Sequence, residues 1–460
     1  MFKRVLVANR GEIAVRVLRA CRELCISTVA VYSTADADSL HVLFAEQAVC
    51  IGPPRAADSY LNVDAILAVA KATGCDAVHP GYGFLSENAD FADACRAAGL
   101  AFIGPSGDVI RKMGNKAAAR ALMQSVGVPV VPGSDGRVDT AEEAQEIADR
   151  IGYPVLITAA AGGGGRGMRR VYERAQLQDL FREARAESAA CFGSDEMYLE
   201  KLILEPRHIE FQIMADQHGN VIQLGERDCS VQRRNQKLLE ETPSHALTNE
   251  LREKMGAAAV LAARAAGYEN AGTVEFVLAP DKQFYFIEMN TRIQVEHPIT
   301  ELTVGIDLVR EQIRVAAGLP LSRRQDQVRQ RGHAMECRIN AEDPMHGFAP
   351  CPGKADFLYF PGGPGVRIDT CMYSGYEISP YYDSMVAKVI VQAPTRLETI
   401  RRMRRALEEL TIDGLGTNAE LMHQILYHPV FVRGNYSTAF LDEHLETLLA
   451  WIKQVEEAEG

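Results

Sequence analysis

The chain has no CxxC pair. Its ten cysteines are scattered from Cys21 to Cys371 without regular spacing, which argues against a zinc ribbon, an iron–sulfur site or a disulfide framework and predicts reduced thiols in a cytoplasm. Long hydrophobic runs are also missing, and no apolar stretch approaches the roughly 20 residues that span a bilayer. The amino terminus, MFKRVLVANRGE, breaks its apolar run at Asn9 and Arg10, too early for the hydrophobic region of a signal peptide. Positive charge is in deficit: the formal net charge of -12 disfavours electrostatic binding to nucleic acid or anionic lipid, so any phosphate chemistry must rest on local cations. There is no GxGxxG after the first strand, where the turn reads Asn9-Arg10-Gly11-Glu12, and a dinucleotide site is therefore not supported. Internal repeats and low-complexity tracts are absent too.

What is present is the composition of an ordinary soluble globular protein. With 460 residues, 47% of them hydrophobic, the chain can bury a sizeable core and divide into two to four domains. Short apolar runs alternate with helical periodicity up to about residue 115. Strands are expected at 4–8, 27–32, 76–79 and 100–103, and helices at 13–24, 63–73 and 89–98. Such β-α alternation implies a parallel, Rossmann-like α/β sheet covered by helices. Gly104-Pro105-Ser106 marks a first boundary. Residues from about 131 to 203 have the size of a small lid-like subdomain. Strands return at 209–215, 221–225, 273–278 and 284–289, and the part after about 330 mixes strands (334–339, 385–391) with a charged helix at 397–410.

Three features carry chemistry. Gly162-Gly163-Gly164-Gly165, set between two short strands, exposes successive backbone N–H groups in a way that suits a polyphosphate, although a flexible linker has the same composition. The segments 272–278 and 284–290 read as a hairpin in which Glu288 and Asn290 share a face and Glu275 lies opposite. Two carboxylates and an amide oxygen suit Mg²⁺; the alternative is a solvated strand face. Directly after it, Thr291-Arg292-Ile293-Gln294-Val295-Glu296-His297-Pro298 crowds ionisable groups into eight residues.

Together with Val7-Ala8-Asn9-Arg10-Gly11-Glu12-Ile13-Ala14, His79 through Asn88, Glu226 through Ser230 and Gln232-Arg233-Arg234, these segments resemble the biotin carboxylase family of the ATP-grasp superfamily over nearly the whole chain. The resemblance implies a Rossmann-like N-terminal domain (1–115), an ATP-grasp domain (116–330, lid about 131–203) and a C-terminal α+β domain (331–460). It implies that Lys116 and the glycine loop hold nucleotide phosphates, that Glu200, Lys201 and Ile203 line the adenine pocket, and that His208 and Gln232 hold the ribose and phosphate end. Glu275, Glu288 and Asn290 would hold Mg²⁺ or Mn²⁺. Bicarbonate would meet Lys237, Arg292, Gln294 and Val295, with Glu296 as the base, and biotin would meet Arg338 and Tyr82. Read without the resemblance, Lys116 is a solvated helix lysine, His208 a satisfied strand histidine, Ile203 a core residue and Arg338 a surface or salt-bridged arginine.

The chain departs from the family's pattern at Ile157-Thr158-Ala159, where a lysine normally precedes the glycine loop. A hydroxyl in place of that cation is expected to weaken ATP binding, with Arg170 of the Arg169-Arg170 pair as a partial substitute. Asn235, where some members carry histidine, puts little in doubt. No Met-Lys-Met biotinylation motif occurs, so biotin is expected on a separate carrier protein, with carboxyltransferase subunits passing the carboxyl group to acetyl-CoA, and a homodimer is implied by resemblance alone. The rival readings are another ATP-grasp acyl-phosphate ligase, the corresponding subunit of a propionyl-CoA or pyruvate carboxylase, and a nucleotide-binding homologue that has lost catalysis.

Overall fold

The computed structural model describes residues 1–159 and 167–459. Its first hundred residues form a five-stranded parallel sheet in the order β3-β2-β1-β4-β5, with β1 Arg4–Val7, β2 Ser27–Ser33, β3 Gln47–Gly52, β4 Ala77–His79 and β5 Ala101–Phe102. The central strand is a continuous apolar run because both its faces are covered, and Val5, Leu6 and Val7 are fully buried. Helices α1 (Gly11–Glu23), α2 (Val63–Ala72) and α3 (Ala89–Ala97) cross between the strands. The carboxyl ends of β1 and β4 converge on one edge, the usual place for a ligand in such a sheet. There the Asn9 amide donates to the carbonyls of Pro80 and Tyr82, each at 2.7 Å. Gly81 leaves room for that amide: a Cβ there would lie 2.9 Å from Asn9 Nδ2, and its φ is +64°.

Two short helices, α4 (Gly107–Gly114) and α5 (Lys116–Ser125), lead into a small unit with its own core. It comprises α6 (Ala141–Ile151), β6 (Val155–Ala159), β7 (Arg169–Val171), α7 (Leu177–Phe192) and β8 (Met197–Lys201), with the strands in the order β7-β6-β8. Ile157, Val171, Leu199 and Phe181 are buried between this sheet and its helices, while Thr158, Glu200 and Arg170 alternate onto the opposite face.

The remaining chain is organised by one eight-stranded antiparallel sheet. Its order is β13-β12-β9-β10-β11-β14-β16-β15, where β9 is Arg207–Ala215, β10 Val221–Arg233, β11 Gln236–Thr242, β12 Asn270–Leu278, β13 Phe284–Asn290, β14 His333–Asn340, β15 Val366–Thr370 and β16 Met385–Ala393. Helix α8 (Asn249–Ala266) packs with Phe211 and Phe276 in one core, and α9 (His297–Val304) lies against β10, β11, β14 and β16. β11 pairs directly with β14, Leu239 opposite Cys337, so the sheet crosses from the middle of the chain into its C-terminal part without a break. The whole is the three-part mixed α/β arrangement anticipated above.

One strand corrects the sequence reading. The expected strand 221–225 continues through a bulge at Gly225 (φ +91°) as far as Arg233. Polarity hid the extension: Glu226, Arg227 and Asp228 are fully buried yet each is ion-paired, to Arg252, Glu210 and Arg207 respectively, so charge here does not mark a solvated turn.

Candidate active site

A cavity of about 1130 Å³ opens where the β1 and β4 ends, the strands β9 to β14 and the loop 378–385 meet. The polar residues on its walls come from strands whose alternation faces one set of side chains inward. Across the β12–β13 hairpin Glu275 stands directly opposite Glu288, and on its other side Glu275 faces Glu210 of β9. Lys237, from β11, reaches into this carboxylate cluster and donates to Glu210 Oε2 (2.5 Å), Glu275 Oε1 (2.9 Å) and Glu296 Oε1 (2.8 Å). Burial alone disfavours a charged lysine, but the three glutamates outweigh it and hold Lys237 protonated far above its ordinary range.

Glu296 lies at the floor, fully buried at the start of α9. Its second oxygen accepts from Arg338 Nη2 at 2.8 Å. Burial raises the proton affinity of Glu296, yet Lys237, Arg338 and Arg227 together hold it well below the usual carboxylate range. It is therefore an anion at neutral pH. Arg292 lies across the wall, with Nε on Glu87 (2.9 Å), Nη1 on Gln294 (2.9 Å) and Nη2 on Asn290 (3.2 Å). Two groups behind the wall fix the loop that carries Glu296: fully buried Lys388 donates to the Val295 carbonyl at 2.9 Å and lies 3.0 Å from Glu12, which accepts from the Tyr82 hydroxyl.

The other end of the cavity is differently built. Lys116 is exposed at the start of α5, and Gln232 and Glu288 line the wall. Glu288 has no ion-pair partner among the described residues, and its proton affinity is raised by burial and then by Glu275. Two opposed carboxylates with this surplus of negative charge, beside the Asn290 amide, fit a divalent cation. His208 Nε2 lies 2.8 Å from Glu275 Oε2, adding a neighbour to that group.

Of the residues singled out from the sequence, the cavity brings together Tyr82, Lys116, His208, Gln232, Lys237, Glu275, Glu288, Asn290, Arg292, Gln294, Val295 and Arg338, with Glu296 behind them. Glu200 and Lys201 lie on β8 and Ile203 just after it, and none of the three lines the cavity. Glu200 pairs with Arg120 at 3.2 Å, and the Lys201 ammonium is engaged by the carbonyls of Gly152 and Tyr153. Gly162 to Gly165 lie outside the described residues. Sequence reasoning missed Glu210, Arg227, Glu240 and Lys388 as site-forming groups. The available signal was the alternation His208, Glu210, Gln212 along β9, a polar face that period-two reading takes for solvent.

A small three-stranded unit beside an eight-stranded antiparallel sheet, with an opposed carboxylate pair at one end of the cavity and a buried, doubly ion-paired carboxylate at the other, is the setting of an ATP-grasp type of ligase. Family models match in three blocks: "Biotin carboxylase, N-terminal domain" over residues 1–110, "Carbamoyl-phosphate synthase L chain, ATP binding domain" over 115–324, and "Biotin carboxylase C-terminal domain" over 336–443. The chain is 57% identical to biotin carboxylase of Nostoc sp. over 96% of this chain and 99% of that one, and 55% identical to biotin carboxylase 1 of Bacillus subtilis with the same coverage. Among solved structures, the biotin carboxylase domain dimer of Hydrogenobacter thermophilus 2-oxoglutarate carboxylase, in complex with MgADP, ADP and bicarbonate, superposes with a TM-score of 0.91 at 50% identity, covering 97% of this chain and 99% of that one. The chain belongs to the biotin carboxylase family, ATP-dependent ligases that carboxylate biotin. No helix among the described residues is long and apolar enough to cross a membrane.

Proposed function

We propose that this enzyme carboxylates biotin borne on a biotin carboxyl carrier protein, using ATP and bicarbonate, as the first half-reaction of acetyl-CoA carboxylase in cytoplasmic fatty acid synthesis. The observation that carries the chemistry is the continuous chain Lys237–Glu296–Arg338, in which one buried carboxylate is held by two cations, both of which also face the cavity. A general base works best when its pKa lies near the operating pH. Glu296 is too weak a base while both cations bind it. An anionic bicarbonate placed on Lys237 and Arg292 draws Lys237 away, and the basicity of Glu296 then rises at the moment it is needed.

In the resulting sequence Glu296 takes the bicarbonate proton, and a bicarbonate oxygen attacks the γ-phosphorus of ATP as the bond to ADP breaks. The carboxyphosphate so formed divides into CO₂ and phosphate. The phosphate accepts the ureido N–H proton of biotin, and that nitrogen adds to CO₂. Arg338, always charged, stabilises the oxygen of the deprotonated ureido group. Glu275, Glu288 and Asn290 would hold Mg²⁺ or Mn²⁺, which would supply charge neutralisation for the nucleotide phosphates. Lys116, Gln232, His208 and the Gly162–Gly165 loop contact the nucleotide, and Glu200, Lys201 and Ile203 close the adenine side as the lid 131–203 comes down. We assign residues 1–115, 116–330 and 331–460 to the three domains and expect a homodimer working with separate carboxyltransferase subunits. The 2-oxoglutarate carboxylase relative makes the acceptor the finest part of this reading.

The test is ATP hydrolysis measured with and without bicarbonate, and with and without free biotin. Hydrolysis that needs bicarbonate and rises with biotin is expected; hydrolysis indifferent to both sinks the reading. Mixing the enzyme with purified carrier and transferase subunits of acetyl-CoA, propionyl-CoA and pyruvate type then identifies the acceptor.

A further inference from the structure

Arg338 is anchored from below as well as from the cavity. Its Nε lies 2.7 Å from Glu240 Oε1 and its Nη2 2.6 Å from the same oxygen, while Nη2 also reaches Glu296 at 2.8 Å. Nη1 has no partner among the described residues, and the side chain lines the cavity. Glu240, on β11, is fully buried and stands directly opposite Glu336 on β14, which is two residues from Arg338 and so on the same face. The second oxygen of Glu240 and both oxygens of Glu336 are buried without a hydrogen-bond partner. Two carboxylates facing each other in a sealed site are satisfied if they hold one proton between them.

We propose that Glu240 and Glu336 form a one-proton carboxyl pair that positions Arg338, holding its guanidinium back from Glu296 and turned toward the ureido group of biotin. The inference rests on the role given above to Arg338. Burial is the main influence on Glu240, with Arg338 opposing it, Glu296 adding to it and Lys237 opposing it, and the balance puts the group at about 7. Glu336 is pushed far above the ordinary range, first by burial, against Lys388 and with Glu240, so it is the partner that keeps the proton. Cys337, which feels both carboxylates, and Cys229, which feels Glu240, are held as thiols by burial. Below neutrality Glu240 takes up a proton, Arg338 loses its lower anion, and its charge falls on Glu296. The pair thus sets the acid limb of the reaction, which Glu296 itself, held low, does not.

The experiment is the pH profile of biotin carboxylation at saturating ATP and bicarbonate for wild type, Glu240→Gln, Glu336→Gln, Glu336→Met and Arg338→Met, each checked by thermal melting. In Glu240→Gln the KM for biotin is expected to rise about tenfold and the acid limb to disappear. In Glu336→Gln, which reproduces the protonated partner and its donor, the limb stays where it is, and in Glu336→Met, which takes that donor away from the Glu240 anion, it moves up by about one pH unit. An unchanged limb in Glu240→Gln, as when His208 or bicarbonate itself sets it, overturns the proposal. If Glu240→Gln does not fold, Glu336→Met decides, and an unmoved limb there overturns the proposal. Arg338→Met separates the two claims: undiminished carboxylation in that variant refutes the assignment of Arg338 to biotin, whatever the limb does.

Discussion

The two ends of the cavity are built on opposite principles. At the end proposed to carry out carboxylation the cations are paired in advance: Lys237 holds three carboxylates, Glu296 two cations, and Arg338 two carboxylates, all largely buried. At the end proposed to take the nucleotide, Lys116 is exposed, Glu288 has no ion-pair partner among the described residues, and the small three-stranded unit carries Thr158 rather than a cation. The first end is organised when the chain folds, because ions taken out of water must be paired. Under the function proposed above, ATP and its metal would complete the second. Mutations at the first end should therefore damage folding and chemistry together, whereas those at the second should change affinity alone.

Lys237→Met gives the sharpest test of that contrast. It strands Glu210, Glu275 and Glu296 together, so bicarbonate-dependent ATP hydrolysis should fall about 100- to 1,000-fold and unfolding stability by roughly 3–5 kcal/mol, read by steady-state kinetics and denaturant melts. Glu296→Gln keeps the shape and removes the base. A loss of about 100-fold or more in carboxylation, with ATP affinity retained in equilibrium titration, is expected. A variant in which ATP affinity collapses as well breaks the division of the cavity into two ends. Lys116→Met should raise the KM for ATP about tenfold and leave the melting temperature where it was.

A smaller effect comes from the lid. Arg170 lies opposite Leu156 and so shares a face with Thr158, one pair further along the sheet. It has no carboxylate partner among the described residues, while Arg169 is engaged by Glu187 at 2.9 Å. Thr158→Lys should tighten ATP binding by roughly 1–3 kcal/mol in isothermal titration, and unaltered affinity sinks the view that this position weakens the nucleotide site. The smallest effect concerns pH and stability. The folded Glu240 binds its proton more tightly than an unfolded glutamate of pKa about 4.3. Its contribution is thus fully present below that value and lost as pH rises through about 7. Glu240→Gln should gain on wild type in melting temperature over that window.

Much of this was legible in the chain. The parallel sheet followed from apolar runs covered on both faces, and helix α1 and strand β2 fall within two residues of their expected bounds. The hairpin that opposes Glu275 to Glu288 followed from period-two alternation alone. The roles of Lys237, Arg338 and Glu296 rested on resemblance, since a lysine and an arginine on separate strands carry no local sign that they share one carboxylate. What stayed hidden has a common cause. Glu210, Glu240 and Lys388 are polar residues on sheet faces covered by distant segments, and local pattern cannot distinguish a face that meets water from one that meets a site. The pairing of β11 with β14, separated by most of the β12–α9 region, was equally beyond any local signal.

That pairing has a practical consequence for anyone dividing the protein. The gap between two matched family blocks, residues 325–335, invites a cut. Removing everything beyond it would bare β11 from Leu239 to Thr242 as an unprotected sheet edge and take Arg338 from Glu296. Such edges recruit other chains. A split or reporter-inserted version of this enzyme is better opened elsewhere, at the exposed turn Asp281-Lys282, where the backbone already reverses and the eight strands stay together.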